Sequence, residues 1–134
     1  MKLYLASFLQ SQNFGPGRVI GIVDPKGKKP LDIDVAQCFQ QFTPSGEIIS
    51  EYHRMQYEEP KNAGEMFITK YKEQLEMVLS ELATKAKEEK KTIPDLLPFK
   101  DGDTLASWER TEFTHYRNLL APYLEKMGYE VVAN

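Results

Sequence analysis

Side chains that could bind a ligand or act on one are concentrated near the end of the chain. Aromatic, acidic and basic residues fall within ten positions there: Trp108, Glu109, Arg110, His115, Tyr116 and Arg117. A guanidinium can hold a phosphate or carboxylate through two parallel N–H donors. An aromatic ring beside it can pack on a base or a sugar. The stretch therefore predicts a binding site for a small anion, with a nucleotide or nucleotide derivative as the expected ligand.

The same residues also have an interpretation that needs no ligand. Arg110 would be exposed to solvent, and His115 would line a surface turn. Arg117 would form an ion pair with Glu109 or Glu112. Charge alone favours this second interpretation, so the position of the residues in the fold has to decide between the two.

Two strands and a helix are expected to position the cluster. Residues 104–108 are short and partly apolar and follow an Asp-Gly-Asp turn, which predicts a strand. Apolar residues then recur every three to four positions from Phe113, which predicts an amphipathic helix with Thr111 or Thr114 as its cap. Residues 129–132 are predicted to form the closing strand.

The start of this helix is where an anion would bind. A strand that leads into a helix aims N–H groups at the space above the sheet, and the helix dipole adds about half a positive charge there. Pro122 does not fit a regular helix, because an interior proline costs about 3 kcal/mol and removes a backbone bond. The helix is therefore expected to kink at Pro122 or to start later, and Gly128 stands where a helix commonly ends.

Two further strands are predicted near the start of the chain. Residues 3–8 and 18–23 are compact apolar runs. The glycine–proline loop between them, residues 13–17, lacks the Lys-Ser/Thr of a P-loop and the GxGxxG spacing of a dinucleotide fold. We interpret it as a plain connecting loop, and residues 24–30 as an exposed turn.

Helical patterns fill the middle of the chain. Residues 31–42 have the spacing of a short helical turn, and Thr43 with Pro44 predicts the cap and first residue of the next helix. Residues 63–90 carry the longest apolar stripe and predict one long helix with a basic end, and Asn62 with Glu65 has capping-box spacing at its start. The proline-containing segment that follows, residues 92–102, is predicted to be a loop.

Composition narrows the class of protein. The 134 residues, 41% hydrophobic and 28% charged, fit a single α/β domain over residues 1–134. A net charge of −3 disfavours a general nucleic-acid binder or a protein of anionic membranes, because both are usually basic. Cys38 is the only cysteine, so an internal disulfide is excluded. Cys38 is expected to be a structural residue. With only two histidines besides, no metal or cofactor is expected.

Location is predicted from what the sequence lacks. No apolar run approaches the roughly 20 residues of a membrane span. The apolar N-terminus is too short, and too weakly charged ahead of its apolar part, for a convincing signal peptide. We therefore expect a cytoplasmic protein, and we find neither an internal repeat nor a low-complexity tract.

The order of the elements predicts the fold. Strands alternate with helices, which favours an α/β fold with a small, mostly parallel sheet and flanking helices in a Rossmann-like three-layer arrangement. Ligands of such sheets bind beyond the carboxyl ends of the strands. The strand ends at Ser7 and Trp108 are therefore the expected place of the site. If those two strands are neighbours, Ser7, Trp108, Glu109 and Arg117 would share one crevice.

Several segments together resemble a known family. The four in the C-terminal part are a strand end, a motif that opens a helix, a leucine-containing run and a closing strand: Ser107-Trp108-Glu109-Arg110, His115-Tyr116-Arg117, Asn118-Leu119-Leu120-Ala121 and Glu130-Val131-Val132. Residues 2–4, residues 42–48 and Tyr71 add looser similarity upstream. In this order they resemble the DUF488 family of uncharacterised proteins, over most of the chain but with gaps.

Departures from the family limit what the resemblance implies. The family's cysteines stand here as Ser107 and His115, and its histidine stands as Tyr116. Thiol-based or metal-based chemistry is therefore not implied for this chain. Arg117 and Glu109 are retained, so the resemblance implies an arginine at a helix start that faces a carboxylate at a strand end. It implies a fold more than an activity.

Two alternative functions stay open. The opening run Lys2-Leu3-Tyr4-Leu5-Ala6-Ser7 resembles the first strand of nucleoside deoxyribosyltransferase-type proteins, in which a carboxylate attacks a glycosidic carbon. Glu109 is the candidate catalytic nucleophile under that alternative. The other alternative is a non-catalytic scaffold whose acidic surface and exposed aromatic residues serve a homo-oligomer, such as a homodimer.

Overall fold

The computed structural model describes residues 1–23, 30, 32–108 and 116–133. In this part of the chain one sheet of five strands is formed, and all of its strand pairs are parallel. Its order is β3-β2-β4-β1-β5. The strands are β1 Lys2–Ser7, β2 Val19–Gly21, β3 Val35–Cys38, β4 Thr104–Ser107 and β5 Glu130–Ala133. The predicted α/β class with a parallel sheet is therefore confirmed.

Helices connect the strands. Within the described residues they are α1 Gly46–Glu58, α2 Pro60–Glu89, α3 Ile93–Leu96 and α4 Tyr116–Lys126, with 3₁₀ turns at Ser11–Asn13 and Gln40–Phe42. Helices α1 and α2 lie in the connection from β3 to β4, and α4 lies in the connection from β4 to β5. No described helix combines the length and the apolar character needed to span a membrane.

One face of the sheet carries the hydrophobic core. Alternate side chains of a strand point to opposite faces, so Leu3 and Leu5 share a face with Leu105, which is paired with Leu5. These leucines are at most 1% exposed and belong to one cluster with the buried faces of the helices. Phe67 and Leu75 of α2 are fully buried in the same cluster. The apolar stripe predicted for the long helix therefore does pack against the sheet.

The other face is covered by the connection between β1 and β2, which contains the first 3₁₀ turn. The backbone N–H of Gly15 in this connection donates to Oγ1 of Thr104 on β4, at 2.8 Å. A Cβ at Gly15 would overlap the ring of Tyr4 on β1 and the carbonyl oxygen of Gly102, so only glycine fits. The loop predicted here is a connecting loop that packs on its own sheet and forms the thin third layer of the fold.

The prediction of a helical turn over residues 31–42 is wrong. That segment forms the edge strand Val35–Cys38, which pairs in parallel with β2, followed by the 3₁₀ turn Gln40–Phe42. Apolar spacing over so short a segment does not separate helix from strand. The backbone groups of β2 supply a ladder partner, and this tertiary pairing decides the outcome.

The starts of two helices differ from the predicted positions, because more than one residue near each start could serve as the N-cap. The cap of α1 is Ser45 and not Thr43, because Ser45 Oγ accepts the N–H of Ile48 at 3.3 Å. The Thr43 hydroxyl instead donates to the carbonyl of Phe39 at 3.0 Å. Helix α2 begins at Pro60, so Asn62 and Glu65, the predicted capping pair, lie inside it.

The segment predicted as a loop over residues 92–102 contains the short helix α3. Its capping box was not predicted: Thr92 accepts the N–H of Asp95, and the Asp95 carboxylate accepts the N–H of Thr92. The Thr-x-x-Asp spacing is the signal that could have indicated it. Helix α4 continues through Pro122, and its predicted start at Phe113 lies outside the described residues.

A buried carboxylate fastens the amino end of β4. Asp103 is 1% exposed and accepts hydrogen bonds from the N–H of Lys100 at 2.8 Å, the N–H of Arg18 at 2.9 Å and the Arg18 guanidinium at 2.8 Å. Desolvation alone would raise the pKa of Asp103, but these bonds outweigh it and hold the pKa below its usual value. The carboxylate therefore joins the β1–β2 connection to β4.

We expect Asp103→Asn to lower the free energy of unfolding by about 3 kcal/mol at pH 7, because it removes a charge that holds one guanidinium and two N–H groups. The folded pKa is depressed, so this stabilisation is complete above the unfolded pKa of about 3.9. It is lost as the pH falls through the folded pKa. Urea unfolding of both proteins between pH 7 and pH 3 measures the difference.

Asp34→Asn, an exposed aspartate ahead of β3, is the matched control and should change stability by less than about 0.5 kcal/mol. A difference between wild type and Asp103→Asn that stays constant down to pH 3 would contradict the assignment.

The hydroxyl of Tyr71 joins α2 to the second 3₁₀ turn. Tyr71 is fully buried and donates to the carbonyl of Phe42 at 2.6 Å. Burial, and to a lesser extent Tyr116, raises the pKa of Tyr71, so the hydroxyl keeps its proton. We expect Tyr71→Phe to cost about 1–2 kcal/mol, since a buried carbonyl loses its donor. Thermal unfolding should show a melting temperature lower by about 4 °C per kcal/mol.

Tyr57→Phe is the control for this substitution, because the Tyr57 side chain is 91% exposed. Its melting temperature should match that of the wild type. Equal effects of the two substitutions would show that the Tyr71 hydroxyl contributes nothing.

Candidate functional site

The sheet has a switch point between β1 and β4. The two strands are adjacent and parallel, with Ser7 paired to Ser107 at their carboxyl ends. The chain leaves β1 towards β2 on one side, and it leaves β4 through α4 towards β5 on the other side. Connections that diverge in this way leave a crevice above the strand ends, where ligands of open α/β sheets bind. The expectation that the two strands are neighbours is therefore confirmed.

Helix α4 brings Arg117 to this edge of the sheet. Leu120 and Leu124 on the same helix are fully buried and fix it against the core. Arg117 is 5% exposed, and its Nη1 lies 3.3 Å from the carbonyl oxygen of Ser107 and 3.4 Å from its Oγ. The guanidinium is thus held over the carboxyl end of β4, and it does not point into bulk water.

The Ser107 carbonyl has two donors. The N–H of Phe8 donates to it at 3.0 Å, which extends the β1–β4 ladder by one rung, and Arg117 is the second donor. Both bonds from Arg117 are long, so each is weaker than a typical charge-assisted hydrogen bond. Part of the role of Arg117 is therefore to secure the last rung of the ladder.

Ser7 lies beside Ser107 on the same face of the sheet, because the two are paired in register. It is fully buried, and its Oγ accepts the N–H of Leu9 at 3.1 Å, so the hydroxyl also stabilises the turn after β1. Ser7 and Arg117 are thus both next to Ser107 at the end of the sheet. The hydroxyl of Ser107 was not among the predicted ligand-binding groups.

Trp108 lies on the opposite face of the sheet edge. It follows Ser107 directly, and its ring meets that of Phe8, which follows Ser7, with centroids 5.1 Å apart and planes at 65°. Phe8 is 4% exposed but is not in the hydrophobic cluster of the helix face. Trp108 therefore flanks the edge on the side opposite Ser7 and Arg117, and the prediction that they share one crevice with Glu109 stays a prediction.

Tyr116 is part of the core. Its hydroxyl donates to the carbonyl of Ile22 at 2.9 Å, and its ring packs edge-on against Tyr71 at 5.6 Å. Only 9% of the residue is exposed. The sequence predicts a ligand-binding role for Tyr116, whereas in the structure it joins the start of α4 to the residue after β2.

Three predicted site residues lie outside the described part of the chain: Glu109, Arg110 and His115. The ion pair proposed between Arg117 and Glu109 or Glu112, the catalytic role of Glu109, and the cap at Thr111 or Thr114 therefore stay predictions. Among the residues that the structure describes, no cluster of three or more His, Cys, Asp or Glu side chains is placed to hold a metal ion.

The sequence also carries a signal for this edge that the periodicity does not show. Residues 5–8 read Leu-Ala-Ser-Phe and residues 105–108 read Leu-Ala-Ser-Trp. The first three residues of each run are paired one to one in the β1–β4 ladder. This short repeat could have indicated that the two strands are neighbours and that Phe8 and Ser107 belong to the edge.

Comparison of the chain with protein-family models, with curated protein sequences and with solved structures finds no match. The resemblance to the DUF488 family stays a prediction, and function is inferred from the geometry of the sheet edge.

Proposed function

We propose that the carboxyl edge of β1 and β4 binds a small anionic ligand, such as the phosphate of a nucleotide or nucleotide derivative. The observation that carries the proposal is the position of Arg117: an arginine that is only 5% exposed stands at the switch point of a parallel sheet. Charged side chains are seldom buried so far unless they are paired, and the carboxyl ends of strands at a switch point are where ligands of open α/β sheets bind.

The electrostatics of this edge favour an anion. The chain as a whole carries a net charge of −3, so the buried guanidinium of Arg117 is a local departure from its average. The described part of α4 begins one residue before Arg117, and the N–H groups at a helix start add a partial positive charge. Both charges act in a site with little water, where each interaction is stronger than in solvent.

Two hydroxyls can complete such a site. Ser7 Oγ accepts the N–H of Leu9, and Ser107 Oγ accepts from Arg117. A hydroxyl that accepts one bond can still donate its own proton, and both hydroxyls lie on the face of the sheet towards Arg117. They are suited to donate to the oxygens of a phosphate that the guanidinium holds.

A folding role for Arg117 makes a different prediction. Removal of the guanidinium would then weaken the end of the β1–β4 ladder whether or not a ligand is present. Arg117→Lys separates the two roles, because lysine keeps the charge but loses the planar fork that holds a phosphate through two bonds.

We expect the melting temperature to rise with at least one of these probes: inorganic phosphate, pyrophosphate, AMP, GMP, CMP and UMP. Saturation at 100 times the dissociation constant stabilises the folded state by about 2.7 kcal/mol. In Arg117→Lys the affinity for the same probe should fall at least about tenfold, which corresponds to the loss of ~1.4 kcal/mol. Thermal-shift titration checks both expectations.

Arg54→Lys is the matched control, because Arg54 is exposed on α1 and pairs with Glu51 and Glu58 of its own helix. It should bind every probe as the wild type does. A loss of stability in Arg117→Lys with unchanged affinity would assign Arg117 to folding alone. No shift with any probe would refute the anion site.

A further inference from the structure

We propose that the ligand of this edge carries a planar ring beside its phosphate, and that the ring packs on Trp108 on the face of the sheet opposite Arg117. This inference rests on the proposed anion site. It narrows the ligand class to nucleoside phosphates, as against sugar phosphates or free phosphate.

The aromatic pair at the edge has an inner and an outer member. Phe8 is 4% exposed, whereas Trp108 is half-buried and reaches the surface. Their edge-to-face contact, with centroids 5.1 Å apart, is a geometry that aromatic pairs favour. Phe8 therefore orients the indole, and a base that packs on Trp108 meets a ring already fixed in place, which lowers the entropy lost on binding.

The polar group that would face the phosphate and the ring that would face the base are close, because they belong to the consecutive residues Ser107 and Trp108. The Ser107 carbonyl accepts a hydrogen bond from the guanidinium of Arg117. Trp108 is the next residue, so the Cα atoms of Ser107 and Trp108 are about 3.8 Å apart. Successive side chains point to opposite faces, so the polar group and the ring flank the strand end. A molecule that lies across this end can place its phosphate on one side and its ring on the other.

The same arrangement is repeated on the neighbouring strand. Ser7 and Phe8 end β1 as Ser107 and Trp108 end β4, with the two serines in register. The edge thus has a hydroxyl side and an aromatic side, each formed from both strands. A phosphate alone would use only the first side, and a nucleotide uses both.

Trp108 is the single tryptophan of the chain, so its emission reports directly on the proposed ring contact. We expect AMP, GMP, CMP or UMP to change this emission in a saturable way, whereas ribose 5-phosphate and inorganic phosphate should not. The nucleotide should bind at least about tenfold more tightly than ribose 5-phosphate, because stacking on one aromatic ring stabilises a base by ~1–3 kcal/mol.

Two substitutions test the pair by calorimetry. Trp108→Leu should bring the affinity for the nucleotide down to that for ribose 5-phosphate, while the affinity for ribose 5-phosphate itself stays the same. Phe8→Leu keeps the tryptophan fluorophore. It should lower the affinity for the nucleotide by several fold and leave the affinity for ribose 5-phosphate unchanged. Tyr57→Leu, at an exposed position on α1, is the aromatic control and should change neither affinity.

The outcomes separate this inference from the anion site. If nucleotides raise the melting temperature but leave the emission of Trp108 unchanged, the ring lies elsewhere and the inference is overturned while the anion site stands. An unchanged preference for nucleotide over ribose 5-phosphate in Trp108→Leu overturns it as well. If no phosphate-containing probe binds, both proposals fail together.

Discussion

The in-register pairing of β1 with β4 is the constraint on which the rest of the structure depends. It sets two identical tripeptides side by side, so that leucine faces leucine, alanine faces alanine and serine faces serine. The leucines supply the helix face of the sheet with matched apolar side chains. The alanines lie on the other face, and the β1–β2 connection packs on that face at Tyr4 and Thr104. Because the strands are parallel, both serines arrive at the same edge, next to the start of α4.

Much of the fold was accessible from the sequence because its signals are local and repeated. The long stripe of α2 spans many turns, and tertiary contacts could not easily overrule it. The apolar pattern of residues 31–42 is too short to determine their structure by itself. Pairing with the open edge of β2 makes part of this segment a strand, and a 3₁₀ turn follows. Strand order depends on contacts between distant segments. Periodicity cannot supply it, although the repeated Leu-Ala-Ser run held the information for β1 and β4.

Tyr116 and Arg117 are neighbours on α4, but only Arg117 lies where the sequence predicts a ligand-binding residue. Tyr116 belonged to the apolar stripe that predicted α4, and a side chain on the stripe faces the core, so its assignment to ligand binding conflicted with the helix prediction itself. Arg117 is one residue further, about 100° around the helix, and its length lets it reach back to the strand end. The side of the edge on which Trp108 lies relative to Arg117 depends on the face of the sheet against which α4 packs, and that packing is a contact between distant segments.

The two buried charges among the described residues, Asp103 and Arg117, lie at opposite ends of β4. At the amino end the chain itself supplies donors to both carboxylate oxygens: the Arg18 N–H donates to Oδ1, and the Arg18 guanidinium and the N–H of Lys100 donate to Oδ2. At the carboxyl end the guanidinium contacts neutral oxygens of Ser107 at longer distances. Burial of either charge costs several kcal/mol after relaxation, so each buried charge needs partners that offset this cost. The amino end of β4 is therefore stabilised by an ion pair within the chain, whereas the carboxyl end carries the buried guanidinium on which the proposed anion site rests.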